Sequence, residues 1–345
     1  MSTSNKNLNV PNLRFPGFTD EWEKERIGNI LTISNGRDYK ELEIGDIPVF
    51  GTGGYITSVS KSLMEGETVF IGRKGTINKP AYYNGKFWTV DTLFYTQLFT
   101  NCIPYFVYNL FQNINWLKYN EASGVPSLSK SNIEKIEVYL PTVKEQKKIC
   151  GLLRLIDERI ATQNKIIDNL QSLIKGLLND MLFDSFDKYC FLQELDNQIT
   201  SGKDKIANGN VPLFGSTGQI GKTSLPSFNE QLVLVARVGS IGNVQLVNIP
   251  CGVSDNTIII RCGVKAKYIY YYLKSYNFKR ITSGTTQPLI TASDVKRIQI
   301  PLMPEEKEIK IVEILDKFNY KLDVESTILK ILLKQKKFLL SNLFI

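Results

Sequence analysis

From Ile149 onward, apolar residues recur in alternating steps of four and three: Ile149, Leu153, Ile156, Ile160, Gln163, Ile167, Leu170, Ile174, Leu177 and Met181, with Gln163 the one polar member. Such steps keep every member on one stripe of an α-helix, the a/d seam of a coiled coil. The pattern returns near the end of the chain as Ile311, Leu315, Phe318, Leu322, Glu325, Leu329, Leu332, Lys336, Leu339 and Leu343, displaced by 162 at every site. Gln163 falls on Glu325, so the polar break recurs at the same place. Thr142-Val143-Lys144-Glu145 predicts a capping box at the first helix start. Pro304 is expected at the first position of the second helix, followed by Glu305, Glu306 and Glu308 at the positive end of its dipole. A helix of about 38 residues spans roughly 57 Å. A small domain cannot bury so long a seam, so the helices are expected to pack on each other, on a partner, or both.

The rest of the chain is also repeated. Ile47-Pro48-Val49-Phe50-Gly51 matches Val211-Pro212-Leu213-Phe214-Gly215, and Arg73-Lys74-Gly75-Thr76-Ile77 matches Arg237-Val238-Gly239-Ser240-Ile241, both at an offset of 164. Asp91-Thr92 meets Asp255-Asn256 at the same offset. The aromatic segments starting at Tyr105 and Tyr268 align at 163, and Ser123-Gly124 with Ser283-Gly284 and Leu140-Pro141 with Ile300-Pro301 at 160. Kept order with so little drift marks a diverged internal duplication. Short β-type runs such as Thr68–Ile71, Leu232–Ala236 and Thr257–Ile260 sit among Gly, Asn and Ser. The Tyr105 and Tyr268 segments read as one amphipathic helix per copy. The expected class is mixed α/β, with a pseudo-two-fold from the duplication. The expected partition is a first domain over 1–143, a central helix over 144–183, a second domain over 184–303 and a distal helix over 304–345.

Composition narrows the chemistry. Lys and Arg number 42 against 34 acidic residues, a net charge of +8, which suits nucleic-acid phosphates. Histidine is absent, which removes the usual general base and every Ser-His or Cys-His arrangement. The five cysteines lack a C-x-x-C pair and read as reduced thiols. No metal site is expected. No run of 18 uncharged apolar residues occurs, and Met1 to Val10 lacks the apolar core of a signal peptide, so a cytoplasmic location is expected. Phe50-Gly51-Thr52-Gly53 resembles a methyltransferase cofactor loop superficially, but its repeat keeps a different spacing, and no N-P-P-Y or D-P-P-Y occurs. A turn is the better reading. There is no G-x-x-x-x-G-K-S/T loop for ATP.

Basic, glycine-rich loops are the candidates for DNA contact. Arg37, Arg73, Lys74, Gly75 and Lys79 belong to the first copy, and Lys203, Lys205, Lys222, Arg237 and Gly239 to the second. Glycine lets backbone approach a phosphate, and arginine can read guanine with a bidentate pair. Thr285-Thr286-Gln287 adds a polar run in which glutamine could pair with adenine. A solvated turn beside a strand explains any one of these residues; DNA contact explains the set better.

The pattern is similar to the specificity subunits of Type I restriction–modification systems. The opening Pro11-Asn12-Leu13-Arg14-Phe15-Pro16-Gly17-Phe18 with Trp22-Glu23 resembles that family, as does the junction Leu140-Pro141, Glu145-Gln146-Lys147-Lys148-Ile149 and Leu155-Ile156-Asp157. The second copy gives Thr285-Thr286-Gln287-Pro288-Leu289, Ile300-Pro301, Glu305-Glu306 and Leu315-Asp316. It departs in Glu306-Lys307, where Glu-Gln is usual, and lacks a second Pro-x-Leu-Arg-Phe before Leu192.

The resemblance implies two target-recognition domains, each reading one half of a split, asymmetric DNA site. It implies that the long helices lie antiparallel, set the spacer and dock two modification (methyltransferase) subunits, to which restriction (helicase–nuclease) subunits add. S-adenosylmethionine, ATP and Mg then belong to the partners, and this chain is neither an enzyme nor a cofactor binder. A duplicated chain can set two readers about one helical turn apart, roughly 34 Å. Gln163 and Glu325 are expected either to set helix register or simply to face solvent or a partner. Two other readings are a self-contained DNA methyltransferase, opposed by the missing motifs, and a coiled-coil adaptor without DNA binding, which leaves the duplicated basic domains unexplained.

Overall fold

The structure is a computed structural model that describes residues 9–183, 188–195, 198–284 and 288–345. It forms two compact units, one of Met1–Gln163 with Ile328–Ile345 and the other of Asn164–Thr327. Each unit therefore takes part of each long helix, Val143–Phe183 and Glu305–Leu343.

In the first unit, β-branched and aromatic runs build a six-stranded sheet. Its order is Thr32–Asn35, Leu93–Gln97, Met64–Gly72, Ala81–Thr89, Ile44–Gly51 and Gly54–Val59. Pairing is antiparallel except where Val49 and Phe50 run parallel to Trp88 and Thr89. The helix Pro104–Asn113 lays Phe106, Val107, Leu110 and Phe111 on the sheet. A two-stranded ribbon, Glu23–Arg26 with Glu137–Leu140, leads into the first long helix. Ile149 and Leu153 from that helix, Leu340 and Leu343 from the other, and Phe344 just beyond it complete the same core. Lys336 Nζ meets Asp157 Oδ1 at 2.7 Å. Here the two helix segments run in opposite chain directions: Asp157 faces Lys336, while Ile149 shares a core with Leu343.

The second unit repeats the plan. Gln198–Ser201, Thr257–Arg261, Leu232–Ala236 and Val244–Val247 form one sheet, and Gly218–Thr223, Val211–Gly215 and Gly252–Val253 another. Its core takes Ile174, Leu178 and Leu182 from the first long helix and Ile311 and Leu315 from the second. The strand registers are those of the first unit. Ile71↔Phe94 becomes Val235↔Ile258, Phe50↔Tyr55 becomes Phe214↔Gln219, and Val49↔Trp88 becomes Leu213↔Gly252. Even the bulge is repeated, at Val49/Phe50 and Leu213/Phe214.

The structure corrects the sequence alignment beyond the strands. The helices Pro104–Asn113 and Ala266–Ser275 correspond at an offset of 162, which pairs Phe106, not Tyr105, with Tyr268. At that offset five of the six buried positions of each helix coincide: Phe106, Val107, Asn109, Leu110 and Phe111 against Tyr268, Ile269, Tyr271, Tyr272 and Leu273. In the ribbon the second strand keeps this offset and the first stands at 165. Glu25 pairs with Val138 as Cys190 pairs with Ile300, and the Ile27 N–H donates to the Ile136 carbonyl as the Leu192 N–H does to Ile298, so Val138, not Leu140, is the counterpart of Ile300. Tyrosine and proline likeness drew the sequence alignment aside, whereas strand register and burial are fixed by packing.

Two smaller corrections concern helix starts. The Glu145 N–H donates to Thr142 Oγ1 at 3.4 Å, but the Glu145 carboxylate turns to Arg14 (Nε to Oε1 2.8 Å), so only half of the capping box forms. The second long helix begins at Glu305, and Pro304 precedes it, accepting through its carbonyl from the N–H of Lys307 and Glu308.

Along the seam, Ile149, Leu153, Gln163, Ile174, Ile311, Leu315, Glu325, Leu332 and Leu343 are buried. Ile156, Ile160, Ile167, Leu170, Leu177, Met181, Phe318, Leu322, Leu329, Lys336 and Leu339 are half-buried. Leu178, Leu182 and Leu340 lie outside the heptad register and are buried too, because the helix ends also meet the sheet-and-helix cores.

Candidate nucleic-acid interface

In each unit three chain segments converge at one end of the strands. The first follows the strand Thr32–Asn35. A Cβ on Gly36 would lie 2.0 Å from the Val90 carbonyl oxygen, so only glycine permits this approach. Beyond it, the Arg37 N–H donates to the Thr89 carbonyl at 2.8 Å and its carbonyl accepts from Trp88 Nε1 at 2.9 Å. The side chain of Arg37 is left exposed. In the second unit Gly202 makes the same approach, 2.2 Å from the Ser254 carbonyl oxygen, and Lys203 is the exposed cation that follows.

The second segment is a hairpin turn. Gly51 pairs with Gly54, which has φ +108°, and Gly215 pairs with Gly218 at φ +124°. The Phe50-Gly51-Thr52-Gly53 run is therefore a turn between paired strands.

The third segment holds the arginines. Arg73 N–H donates to the Thr92 carbonyl at 2.8 Å and Arg237 N–H to the Asn256 carbonyl at 3.1 Å. The Arg73 guanidinium lies over Phe94, 5.9 Å from the ring centroid, and donates to the Asp91 carbonyl at 3.3 Å. Arg237 Nε is buried with no hydrogen-bond partner among the described residues. Gly75 and Gly239 follow with φ of +85° and +72° and face the hairpin tips; a Cβ there would lie 3.8 Å from Thr52 Oγ1 and 3.7 Å from Ser216 Oγ. Asn243 Nδ2 ties the loop to the Ser216 carbonyl at 2.7 Å. A later segment backs the loop in both units: Leu128 N–H donates to the Arg73 carbonyl at 2.9 Å and Ile290 N–H to the Arg237 carbonyl at 3.0 Å.

The structure thus brings Arg37, Arg73, Lys74 and Gly75 near one hairpin tip, and Lys203, Arg237 and Gly239 near the other. Lys74 and Lys79 are exposed, and Lys74 bridges to Ser127. Lys205 and Lys222 are exposed a little apart, where the Ala207 N–H donates to the Lys222 carbonyl at 3.0 Å. Thr285, Thr286 and Gln287 lie outside the described residues. In the second unit the loop opens on a concavity of about 1040 Å³ lined by Gly239, Ser240, Asn243, Lys279, Thr282 and Gly284. Sequence reasoning passed over Lys279; its place after the aromatic segment of the repeat was the available signal. Among the described residues no cluster of His, Cys, Asp and Glu could hold a metal ion, and no helix is long and apolar enough to cross a membrane.

Comparison with known proteins agrees with this geometry. The family model for the Type I restriction modification DNA specificity domain matches twice, over residues 19–172 and 191–334. A Haemophilus influenzae protein assigned as a type I restriction enzyme specificity subunit is 22% identical over 347 residues, 88% of each chain. A Methanocaldococcus jannaschii protein, assigned as the MjaX specificity subunit, is 24% identical over 351 residues, covering 85% of this chain and 80% of its own. Among solved structures, the S subunit of the Type I restriction–modification system from M. genitalium superposes with a TM-score of 0.71 at 18% identity, over 97% of this chain and 99% of that one. A chain from a study of complex assembly and conformational transition of the type I R-M system gives 0.56 at 17% identity, over 96% and 98%. The chain belongs to the Type I restriction–modification DNA specificity family, whose subunits select the sequence and are not themselves catalytic.

Proposed function

We propose that this chain reads a split, asymmetric DNA site, one half with each unit. The observation that carries the reading is that one scaffold of three loops occurs twice with different tips. At an offset of 164, Tyr55 becomes Gln219, Lys74 becomes Val238 and Lys79 becomes Asn243. Equal scaffolds with unequal tips suit two unlike half-sites, since sequence is read by side chains at base edges.

The long helices set the spacer and offer the docking surface for two modification subunits, which supply S-adenosylmethionine and the methylating residues. Restriction subunits add ATP-driven cleavage. Exposed Leu155, Leu173, Ile331, Leu333 and Phe338 on these helices support a protein-docking role. The assembly acts in the cytoplasm, where its DNA is.

The test is to map methylated adenines across the genome of a host that expresses the chain with its modification subunits. The expected result is one motif of two unlike halves separated by a fixed gap. An uninterrupted motif, or methylation independent of this chain, contradicts the proposal.

A further inference from the structure

The second unit carries a cationic recess that the three loops do not include. Arg280 and Arg297 line a cavity of about 450 Å³ together with Tyr189, Tyr276, Asn277 and Gln299. Both arginines are exposed. Neither has an ion pair among the described residues. Tyr276 and Asn277 also line the larger concavity beside Gly239. The recess therefore adjoins the concavity on the loop face.

The corrected offset of 162 finds the same pair in the first unit. Arg280 ends the 3-10 turn Phe278–Arg280, and Lys118 holds its place in Trp116–Tyr119. Arg297 is the C-cap of the helix Ala292–Lys296, and Lys135 is the C-cap of Lys130–Glu134. Lys118 and Lys135 are exposed as well. Positive charge is thus kept at 118/280 and 135/297, as at 37/203 and 73/237, while 74/238 and 79/243 are uncharged in the second copy.

Two domains that read different half-sites need not share base contacts. What they do share is the phosphodiester backbone, which is alike at every sequence. Cations common to both copies suit the backbone, and positions that differ suit bases. We propose that Arg280 with Arg297, and Lys118 with Lys135, grip backbone phosphates on the flank of each half-site. The inference rests on the DNA-reading function proposed above.

The experiment measures DNA affinity against salt for the assembled complex of this chain with its modification subunits. Neutralising both arginines, R280Q with R297Q, is expected to weaken binding about three- to tenfold and to flatten the slope of log K against log salt by about 2, because two phosphates keep their counterions. The methylated motif stays the same. R280K with R297K, which installs the first unit's chemistry, restores the slope; K118Q with K135Q repeats the effect in the other unit. An unchanged affinity and slope in the glutamine variants overturns the proposal. So does failure of those variants to assemble with the modification subunits without DNA, which makes the recess a protein-docking surface. If the unaltered complex yields no split motif, the DNA-reading function itself has failed, and the two failures are distinct.

Discussion

Arg14 and Glu145 meet through two parallel hydrogen bonds, Nε to Oε1 at 2.8 Å and Nη2 to Oε2 at 2.9 Å, with side chains only 15% and 2% exposed. Such a fork fixes both groups, and the carboxylate in turn raises the guanidinium pKa. Its value shows in what removing one partner leaves. Arg14→Leu strands a buried carboxylate, and the first unit should lose about 3 kcal/mol; denaturant unfolding followed by the tryptophan signal of Trp22 and Trp116 checks it. Next to this pair, Gln146 is fully buried. Its Oε1 accepts from the Ile103 N–H at 2.9 Å and its Nε2 donates to the Asn101 and Pro141 carbonyls at 3.0 Å. At the helix offset its counterpart is Glu308, which is buried against Lys265 Nζ at 2.9 Å. A carboxylate cannot donate to carbonyls as an amide does, so a lysine answers it instead. The departure seen in the sequence at Glu306-Lys307 is thus a change of pairing at Glu308, one residue after Lys307.

At the scale of elements, the long helices combine two kinds of packing. Midway they bury a narrow stripe, and at their ends Leu178, Leu182 and Leu340 widen it against the cores. The heptad pattern made the stripe legible, because a 3.5-residue repeat keeps one side inward. It could not show the widening, which depends on what the helix ends meet. Gln163 and Glu325 are buried though polar, at 7% and 6% exposure. Glu325 pairs with Lys321, Oε1 to Nζ 2.6 Å, one helical turn away. A polar group in a seam specifies register at some cost in stability. Replacing both with leucine should leave stability equal or higher while altering the gap in the methylated motif. Motif mapping of the double variant checks this, and an unchanged gap contradicts it.

At the scale of the whole molecule, burial makes both units sensitive to alkali. It pushes Cys102 and Cys251 up to about 11 and Cys150 and Cys262 to about 12 from an ordinary 9.0. Tyr105, Tyr268, Tyr271 and Tyr272 are raised in the same way. A raised acid keeps its proton longer when folded than when unfolded. Stability is therefore flat through neutral pH and falls from about pH 9 toward 11 to 12, as the unfolded chain sheds these protons first. Melting temperature across pH 7 to 11 measures it; a flat profile above pH 9 contradicts it. The same thiols should resist alkylation at pH 8 until denatured. The first unit also draws Leu340, Leu343 and Phe344 from the end of the chain. The Leu13 N–H donates to the Asn342 carbonyl at 2.8 Å, so the opening segment and the last helical turn are sewn together.

The sequence alone determined the duplication, the two long helices with their polar break, the mixed α/β class and the absence of the usual catalytic motifs. These features are local or periodic, and a repeat of 3.5 residues or a fixed offset survives divergence. Only the tertiary structure decided the true register after the strands, because pairing and burial, not residue likeness, fix which positions correspond. It also decided that Glu145 serves Arg14 rather than its own helix end, since Arg14 lies 131 positions earlier. The loops were legible as basic and glycine-rich. That Gly75 and Gly239 face hairpin tips, and that Arg280 and Arg297 share a recess, follows from strands and turns meeting in space, which no spacing along the chain records.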